Sequence, residues 1–272
     1  KYNLQDPSIS RVYTKDYIRR WLDEIMLMLN DIKDDWTKAI GNVVYGDCME
    51  ILPLLPDNSI SLILTDPPYE FINKSPNFGG FMINSHKQHF QKISSTFGMS
   101  FNPEKFLSQL PRLMSPFNAY IWTNKTLLKD YIAFAESHNF KWDILLWLKP
   151  NPVPCYNRHY LYDKEYCLYI KESGAYFNAK LGYEKYRSYN FKPIGKKETT
   201  HPTEKPLSFI SNFIEISTKP GDIVLDCFLG SGTTAIASEK LGRKWIGIEK
   251  DPDFYKIAEE RILAERSQEK LF

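Results

Sequence analysis

The run Ile223-Val224-Leu225-Asp226-Cys227-Phe228-Leu229-Gly230-Ser231-Gly232-Thr233-Thr234 limits the choice of fold more than any other stretch. An apolar run, a glycine-rich turn and a helix opening follow one another directly, which reads as strand, turn, helix. The helix continues over 235–241, and Gly242 ends it as a C′ glycine. Residues 244–249 form the next strand. The stretch is therefore a βαβ unit, and such units build parallel sheets covered by helices on both faces. Gly230 and Gly232 let the backbone come close to a ligand. Glu249 stands 23 residues after Asp226, a spacing that suits a carboxylate bonding the ribose of an adenosine-containing cofactor. The turn is not a full GxGxxG, and Asp226 stands just before it. An acid there repels a pyrophosphate and attracts the ammonium of an amino-acid group, which favours S-adenosylmethionine over a dinucleotide.

A second apolar run, 60–64, reads as a buried parallel strand and leads into Thr65-Asp66-Pro67-Pro68-Tyr69. Asp-Pro alone is a common turn opener. Here, however, the prolines leave the Pro67 carbonyl outside the sheet ladder, beside a carboxylate and an aromatic ring. Two acceptors in a fixed fork suit a planar NH2 group, and a tyrosine face suits the ring that carries it. Open α/β sheets keep their ligands at this carboxyl edge.

The rest of the chain supplies a framework. Further strands are expected at 42–48, 118–123, 142–148 and 165–170, and helices at 49–55, 101–113, 127–138, 207–217 and from 252 to about 265. Residues 14–36 carry apolar side chains at three- and four-residue steps, from Ile18 to Trp36, and predict one long amphipathic helix with Thr14 as its cap. The domain reading is a helical extension over 1–41 and one catalytic domain over 42–272. A lid-like loop is expected at 70–102, since so long a connection in a compact domain is usually functional or mobile.

Composition narrows the setting. With 43% apolar and 25% charged residues, 272 residues suffice for one α/β domain with a substantial core. No apolar stretch approaches the roughly 20 residues of a membrane span, and no secretory pattern opens the chain. The chain begins at Lys1, so an initiator or tag is expected to be missing. Cys48, Cys155, Cys167 and Cys227 lack CxxC spacing and read as buried reduced thiols of a cytosolic protein, not as a metal site. Cys155 follows Pro154, a pair like that of carbon-methylating cytosine enzymes, but it is read as structural because no partner motif accompanies it. A net charge of +2 does not announce a nucleic-acid binder, so local patches must carry that argument. Residues 171–197 hold seven basic residues against two acidic ones, interleaved with Tyr176, Phe177, Tyr183, Tyr186, Tyr189 and Phe191. Basic residues mixed with aromatics suit phosphate contact and base stacking; the plainer reading is a solvated loop whose rings pack on the core.

Asp66-Pro67-Pro68-Tyr69 followed by Phe228-Leu229-Gly230-Ser231-Gly232 resembles the amino-methyltransferases of DNA. The order, target tetrapeptide first and cofactor glycines last, is similar to the permuted beta group. His201-Pro202-Thr203-Glu204-Lys205-Pro206 resembles that family's third cofactor-side motif. The resemblance runs from about residue 42 to 261. It implies a Rossmann-like fold with a circularly permuted motif order, α/β, with a seven-stranded mostly parallel sheet between helices and entered at what is usually the third strand. Asp226, Phe228, Leu229, Gly230, Ser231, Gly232 and Thr233 would then hold the methionine part of S-adenosyl-L-methionine, and Glu249 with Lys250 its ribose side. Asp47 and Cys48 would lie beside the adenine, with His201, Thr203 and Lys205 at the amino-acid end and Asp66 close by. Asp66 and the Pro67 carbonyl would accept both protons of the target amine, Pro68 would stiffen the turn, and Tyr69 would stack on the flipped base.

An exocyclic amine donates its lone pair into its ring and is a poor nucleophile. Two acceptors favour a pyramidal nitrogen, and the rest is alignment. The base must leave the helix stack, so base flipping follows. Double-stranded DNA is the implied partner, with Lys74, Lys87, Arg158, Tyr160, Lys180, Lys185, Arg187, Lys192, Lys196 and Lys197 as candidate contacts and 171–200 as the target-recognition segment. That segment is short, which predicts a short DNA site. The family also implies a companion restriction endonuclease, a homodimer, and a cytoplasmic setting in a bacterium, an archaeon or a phage-infected cell. An aspartate opening the tetrapeptide resembles the adenine-N6 enzymes; cytosine-N4 methylation, methylation of RNA adenine or protein glutamine, and a non-catalytic DNA-binding or partner subunit are the alternatives.

Overall fold

The structure, a computed structural model, describes residues 27–68, 101–152, 160–161, 163–191 and 204–269. Its nine strands form one sheet. In chain order these are β1 (Leu27–Met28), β2 (Val43–Tyr45), β3 (Leu62–Thr65), β4 (Asn118–Thr123), β5 (Lys141–Leu148), β6 (Lys164–Lys171), β7 (Tyr189–Phe191), β8 (Ile223–Asp226) and β9 (Lys244–Glu249). Across the sheet they run β1-β2-β9-β8-β3-β4-β6-β5-β7. Only β6 is antiparallel to its neighbours, β4 and β5. The helices are α1 (Leu29–Asp34), α2 (Cys48–Ile51), α3 (Pro103–Leu107), α4 (Leu128–Ser137), α5 (Leu207–Ser217), α6 (Thr233–Lys240) and α7 (Pro252–Glu269).

Strand alternation divides the core into two layers. Ile63, Ala119, Ile121, Leu168, Leu225 and Ile246 face one side, where Ile32, Ile51, Phe106 and Tyr131 of α1 to α4 cover them. Leu62, Leu64, Tyr120, Trp122, Tyr169 and Val224 face the other, under Phe209, Ile210, Phe213 and Ile214 of α5. Val43 and Trp245 meet Ile236 of α6 and Tyr255, Ala258 and Ile262 of α7 on that same side. Central strands buried on both faces are why 62–64 and 223–225 read as unbroken apolar runs.

All seven expected strands are present, and the sheet has two more. β1 pairs with β2 through Leu27↔Val44 and Met28↔Tyr45, and β7 pairs with β5. β1 corrects the helix expected over 14–36. Of that span, residues 14–26 lie outside the described residues, 27–28 are strand, and α1 covers only 29–34. The open edge of β2 offers unpaired backbone groups, and pairing with them overrides the helical periodicity there. Of residues 27–41, expected within the N-terminal extension, 27–28 join the sheet, and Ile32 and Ala39 are buried in its core. The helix expected over 101–113 is likewise shorter. Asn102 caps α3 by accepting from the Lys105 N–H at 2.9 Å, and a separate 3-10 turn follows at Pro111–Leu113.

Candidate active site

α6, which follows β8, packs on one face of the sheet, and α3, the first described helix after β3, packs on the other. The carboxyl ends of these adjacent parallel strands therefore flank a crevice, the usual ligand position in an open α/β sheet. A cleft of about 1080 Å³, measured out to its open mouth, lies there. Asp66, Pro67 and Pro68 line it from β3, and Asp226 and Phe228 to Ser231 from β8. Glu249 and Lys250 line it from β9, and Glu204 and Lys205 from the segment before α5. The two motifs, far apart in sequence, thus share one cavity.

A hydrogen bond joins its halves. Thr65 Oγ1 donates to Asp226 Oδ1 at 2.9 Å and accepts the Cys227 N–H at 3.1 Å. Thr234 Oγ1 donates to Asp226 Oδ2 at 2.7 Å, and the Phe228 N–H reaches Asp226 Oδ1 at 3.1 Å. Burial pushes the Asp226 carboxyl up to about 6 even with those donors. Glu249 accepts the Gly230 N–H at 2.8 Å on one oxygen and the Asp251 N–H at 2.8 Å on the other. Burial pushes it up to about 7. Gly230 and Gly232 stand at φ +58° and +83°, a left-handed region that glycine enters without strain.

Target-side charge is organised by Lys205. Its ammonium is ion-paired with Asp66 Oδ2 and lies 3.2 Å from Glu165 Oε2 and 5.0 Å from the centre of the Trp122 ring. Burial alone would lower this lysine, but Asp66 and Glu165 hold it above its ordinary value. Glu165 is ion-paired in turn with Lys149. Burial opposes the Glu165 charge, and the two lysines keep it below the usual carboxylate range.

Some candidate residues hold other posts. Asp47 caps α2, accepting the Met49 N–H at 2.9 Å, and lies 3.7 Å from Lys250; Gly46 and Cys48 line the cleft in its place. The Cys48 thiol is buried and pushed up to about 12, so it is an apolar wall and not a nucleophile. Gly232 shapes the turn without lining the cleft, while Thr233 lines it. Tyr69, Lys74, Lys87, Arg158, Lys192, Lys196, Lys197, His201 and Thr203 lie outside the described residues, as do most of the 70–102 loop and Cys155.

The basic segment divides. β6 runs away from the cleft, so Lys171, paired with Lys141, stands at the opposite edge of the sheet. There Lys185 is ion-paired with Glu215 at 2.8 Å and Lys180 is exposed, so the structure does not bring these two to the cleft. Tyr186 is absorbed into the body, its hydroxyl donating to the Asn178 carbonyl at 2.7 Å. β7 returns toward the cleft edge, with Phe191 opposite Leu148, and Arg187 donates to the Tyr189 hydroxyl at 2.9 Å. Tyr160 and Tyr183 are almost wholly exposed.

Several site residues carried no sequence signal. Glu165 reads as the edge of an apolar strand, and Trp122 as strand interior. Arg261 reads as one more charge on a terminal helix, yet it donates to the Ser231 carbonyl at 3.2 Å and Thr233 Oγ1 at 3.0 Å and pairs with Glu204 at 2.7 Å. Gly247 is the plainest omission. A Cβ built on it would stand 2.6 Å from Leu229 Cδ2 and 3.1 Å from its Cγ, so glycine is what allows Leu229 to seat the turn. Gly247→Ala is expected to cost about 1–3 kcal/mol by overpacking. Calorimetry on the purified variant would show it, and an unchanged melting temperature would refute it.

The donor set fits S-adenosylmethionine. Two buried carboxylates line the cleft from adjacent strands, Asp226 where β8 enters the glycine turn and Glu249 at the end of β9, and Ile210, Phe228, Ile248 and Phe254 supply apolar wall. Carboxylates suit an ammonium and a ribose, and the apolar wall suits an adenine.

Comparisons with known proteins agree with this geometry. A family model described as DNA methylase matches residues 60–260. The Type II methyltransferase M2.MboI of Moraxella bovis is 33% identical over 238 residues, covering 81% of this chain and 86% of its own. M2.DpnII of Streptococcus pneumoniae is 31% identical over 241 residues, covering 82% and 90%. Among solved structures, the M1.HpyAVI–SAM complex is 27% identical with a TM-score of 0.59, covering 81% of this chain and 98% of that one.

Proposed function

The chain belongs to the DNA methylase family, and from that premise we propose that it methylates the N6 amine of adenine in DNA at the cleft between β3 and β8. S-adenosyl-L-methionine is the methyl donor, and it supplies a methyl group activated on a sulfonium. One observation carries the reading: Asp66 and Pro67 share a single cavity with the glycine turn, Asp226 and Glu249. The chain's own residues then perform three tasks. Glu249 and Asp226 hold the ribose and amino-acid ends, Asp66 and the Pro67 carbonyl accept the amine's two protons, and Lys205 keeps the Asp66 carboxylate in place. Tyr69 follows in sequence as the stacking face for a flipped base. The aspartate at the head of the tetrapeptide favours adenine over cytosine.

The test is transfer from labelled S-adenosylmethionine to mixed-sequence duplex DNA, followed by nucleoside analysis. N6-methyladenine is expected. N4-methylcytosine would keep the mechanism and overturn the base assignment, and absence of product with cofactor bound would overturn the DNA reading. We further propose, from the type II naming of the relatives, a companion restriction endonuclease; protection of methylated DNA from a co-encoded nuclease would test it. A homodimer is checked by sedimentation.

The raised carboxyls also predict a pH signature. Between about pH 5 and pH 7 the folded protein holds protons on Glu249 and Asp226 that the unfolded chain has shed. Stability of the unliganded protein from these groups therefore falls as pH rises through that window. Cofactor affinity moves the other way, because ribose hydroxyls and an ammonium need ionised acceptors. Melting curves and titration calorimetry from pH 5.5 to 8 should show both slopes, and Glu249→Gln should flatten each. Slopes unaltered in Glu249→Gln would refute the assignment.

A further inference from the structure

Lys205 poses an electrostatic problem. It is 7% exposed and lines the cleft, and the ligand expected there carries a net positive charge. At neutral pH that charge is the sum of a sulfonium, an ammonium and one carboxylate. A buried cation on the wall of a site for a cation opposes binding unless its charge is cancelled locally. Asp66 offers one cancelling charge, but the same carboxylate must also accept from the target amine. Asp66 alone does not serve both demands.

Glu165 supplies the second charge. It stands on β6, outside the lining of the cleft, with Oε2 3.2 Å from the Lys205 ammonium. Lys149, the residue after β5, pairs with the other carboxylate oxygen of Glu165. Lys149, Glu165, Lys205 and Asp66 thus form a row of alternating sign whose charges cancel. Resting on the cofactor reading above, we propose that Glu165 is a positioning residue for methyl transfer: the counter-ion that neutralises Lys205 from behind, so that Asp66 serves the target amine and the cleft admits a sulfonium. Without Glu165 the row is one unit positive.

The test compares two ligands that differ by the charge in question. S-adenosylmethionine is a sulfonium; S-adenosylhomocysteine is the uncharged thioether of nearly the same shape. Binding of each to the full chain is measured by titration calorimetry, with no DNA present. Glu165→Gln is expected to weaken S-adenosylmethionine on the order of tenfold while moving S-adenosylhomocysteine less than about twofold. Glu165→Asp keeps the charge and should restore the parent ratio. Lys149→Met removes a positive charge, and the ratio should shift in the opposite sense, toward the sulfonium. That reversal of sign is something loss of packing cannot produce. Equal weakening of both ligands in Glu165→Gln, or ratios that Glu165→Gln and Lys149→Met move in the same direction, would overturn the proposal. A parent protein that binds neither ligand would overturn the cofactor reading itself, a different and recognisable result.

Discussion

Asp66→Ala is expected to slow methyl transfer by on the order of 10²–10³-fold at saturating cofactor, the scale seen when one preorganised polar partner is removed from a reaction centre. The amine would keep the Pro67 carbonyl but lose the carboxylate that fixes its second proton. Its lone pair would then stay in the ring, and alignment would loosen at the point where an error of about 1 Å costs on the order of 10²-fold. Lys205 would also turn wholly to Glu165, 3.2 Å away, leaving a cation facing the base. Single-turnover rates on methyl-accepting DNA, with S-adenosylhomocysteine binding as the control for folding, measure the effect. A variant retaining rates within tenfold of the parent would refute the role given to Asp66.

The second large effect is expected from Arg261→Ala, through the fold and not the chemistry. Arg261 is 13% exposed in its side chain, and its guanidinium ties the glycine turn, at Ser231 and Thr233, to Glu204 before α5. Removing one member of so enclosed an ion pair costs about 3 kcal/mol. In a chain of this size that lowers the melting temperature by about 6–12 °C. Cofactor affinity should fall as well, since both walls of the cleft are released. Lysine should not rescue, because a single ammonium cannot reproduce a planar fork reaching three partners. Thermal unfolding of the alanine and lysine variants decides it; a lysine variant as stable as the parent would show that charge alone suffices.

The sequence was legible where a residue's duty is local. β4 and β9 have the boundaries expected of them, because a polar residue marks each end of an apolar run, Asn118 and Thr123 in one and Lys244 and Glu249 in the other. Asp66, Asp226 and Glu249 were legible because each closes an apolar strand, Asp66 directly before two prolines and Asp226 just ahead of the glycine turn. Glu165, Arg261 and Gly247 were not. Their partners, Lys205, Ser231 with Glu204, and Leu229, are distant in sequence, so no spacing rule reaches them. β1 and β7, two and three residues long, are too short for any period to register. Asp47 has a second duty that Gly-Asp after a strand does not announce, since its carboxylate caps α2. The Lys185 ion pair with Glu215, thirty residues on, likewise had no local signal.

The hydrogen bond from Thr65 to Asp226 has a consequence for the order in which the protein comes into being. It spans 161 residues, and it joins adjacent central strands. Closing a loop of that length costs on the order of 4–5 kcal/mol of chain entropy before any contact rewards it. During synthesis, β2 to β7 emerge before the strand that belongs between β9 and β3 exists. Asp66 and Pro67, the proposed target side, are made first, and their central neighbour β8 follows later. A nascent chain thus carries the amine acceptors without the half of the pocket that holds the methyl donor. It stays chemically silent until β8 slots into the middle of the sheet and β9 brings Glu249 beside it, which ties the onset of activity to closure of the sheet's centre.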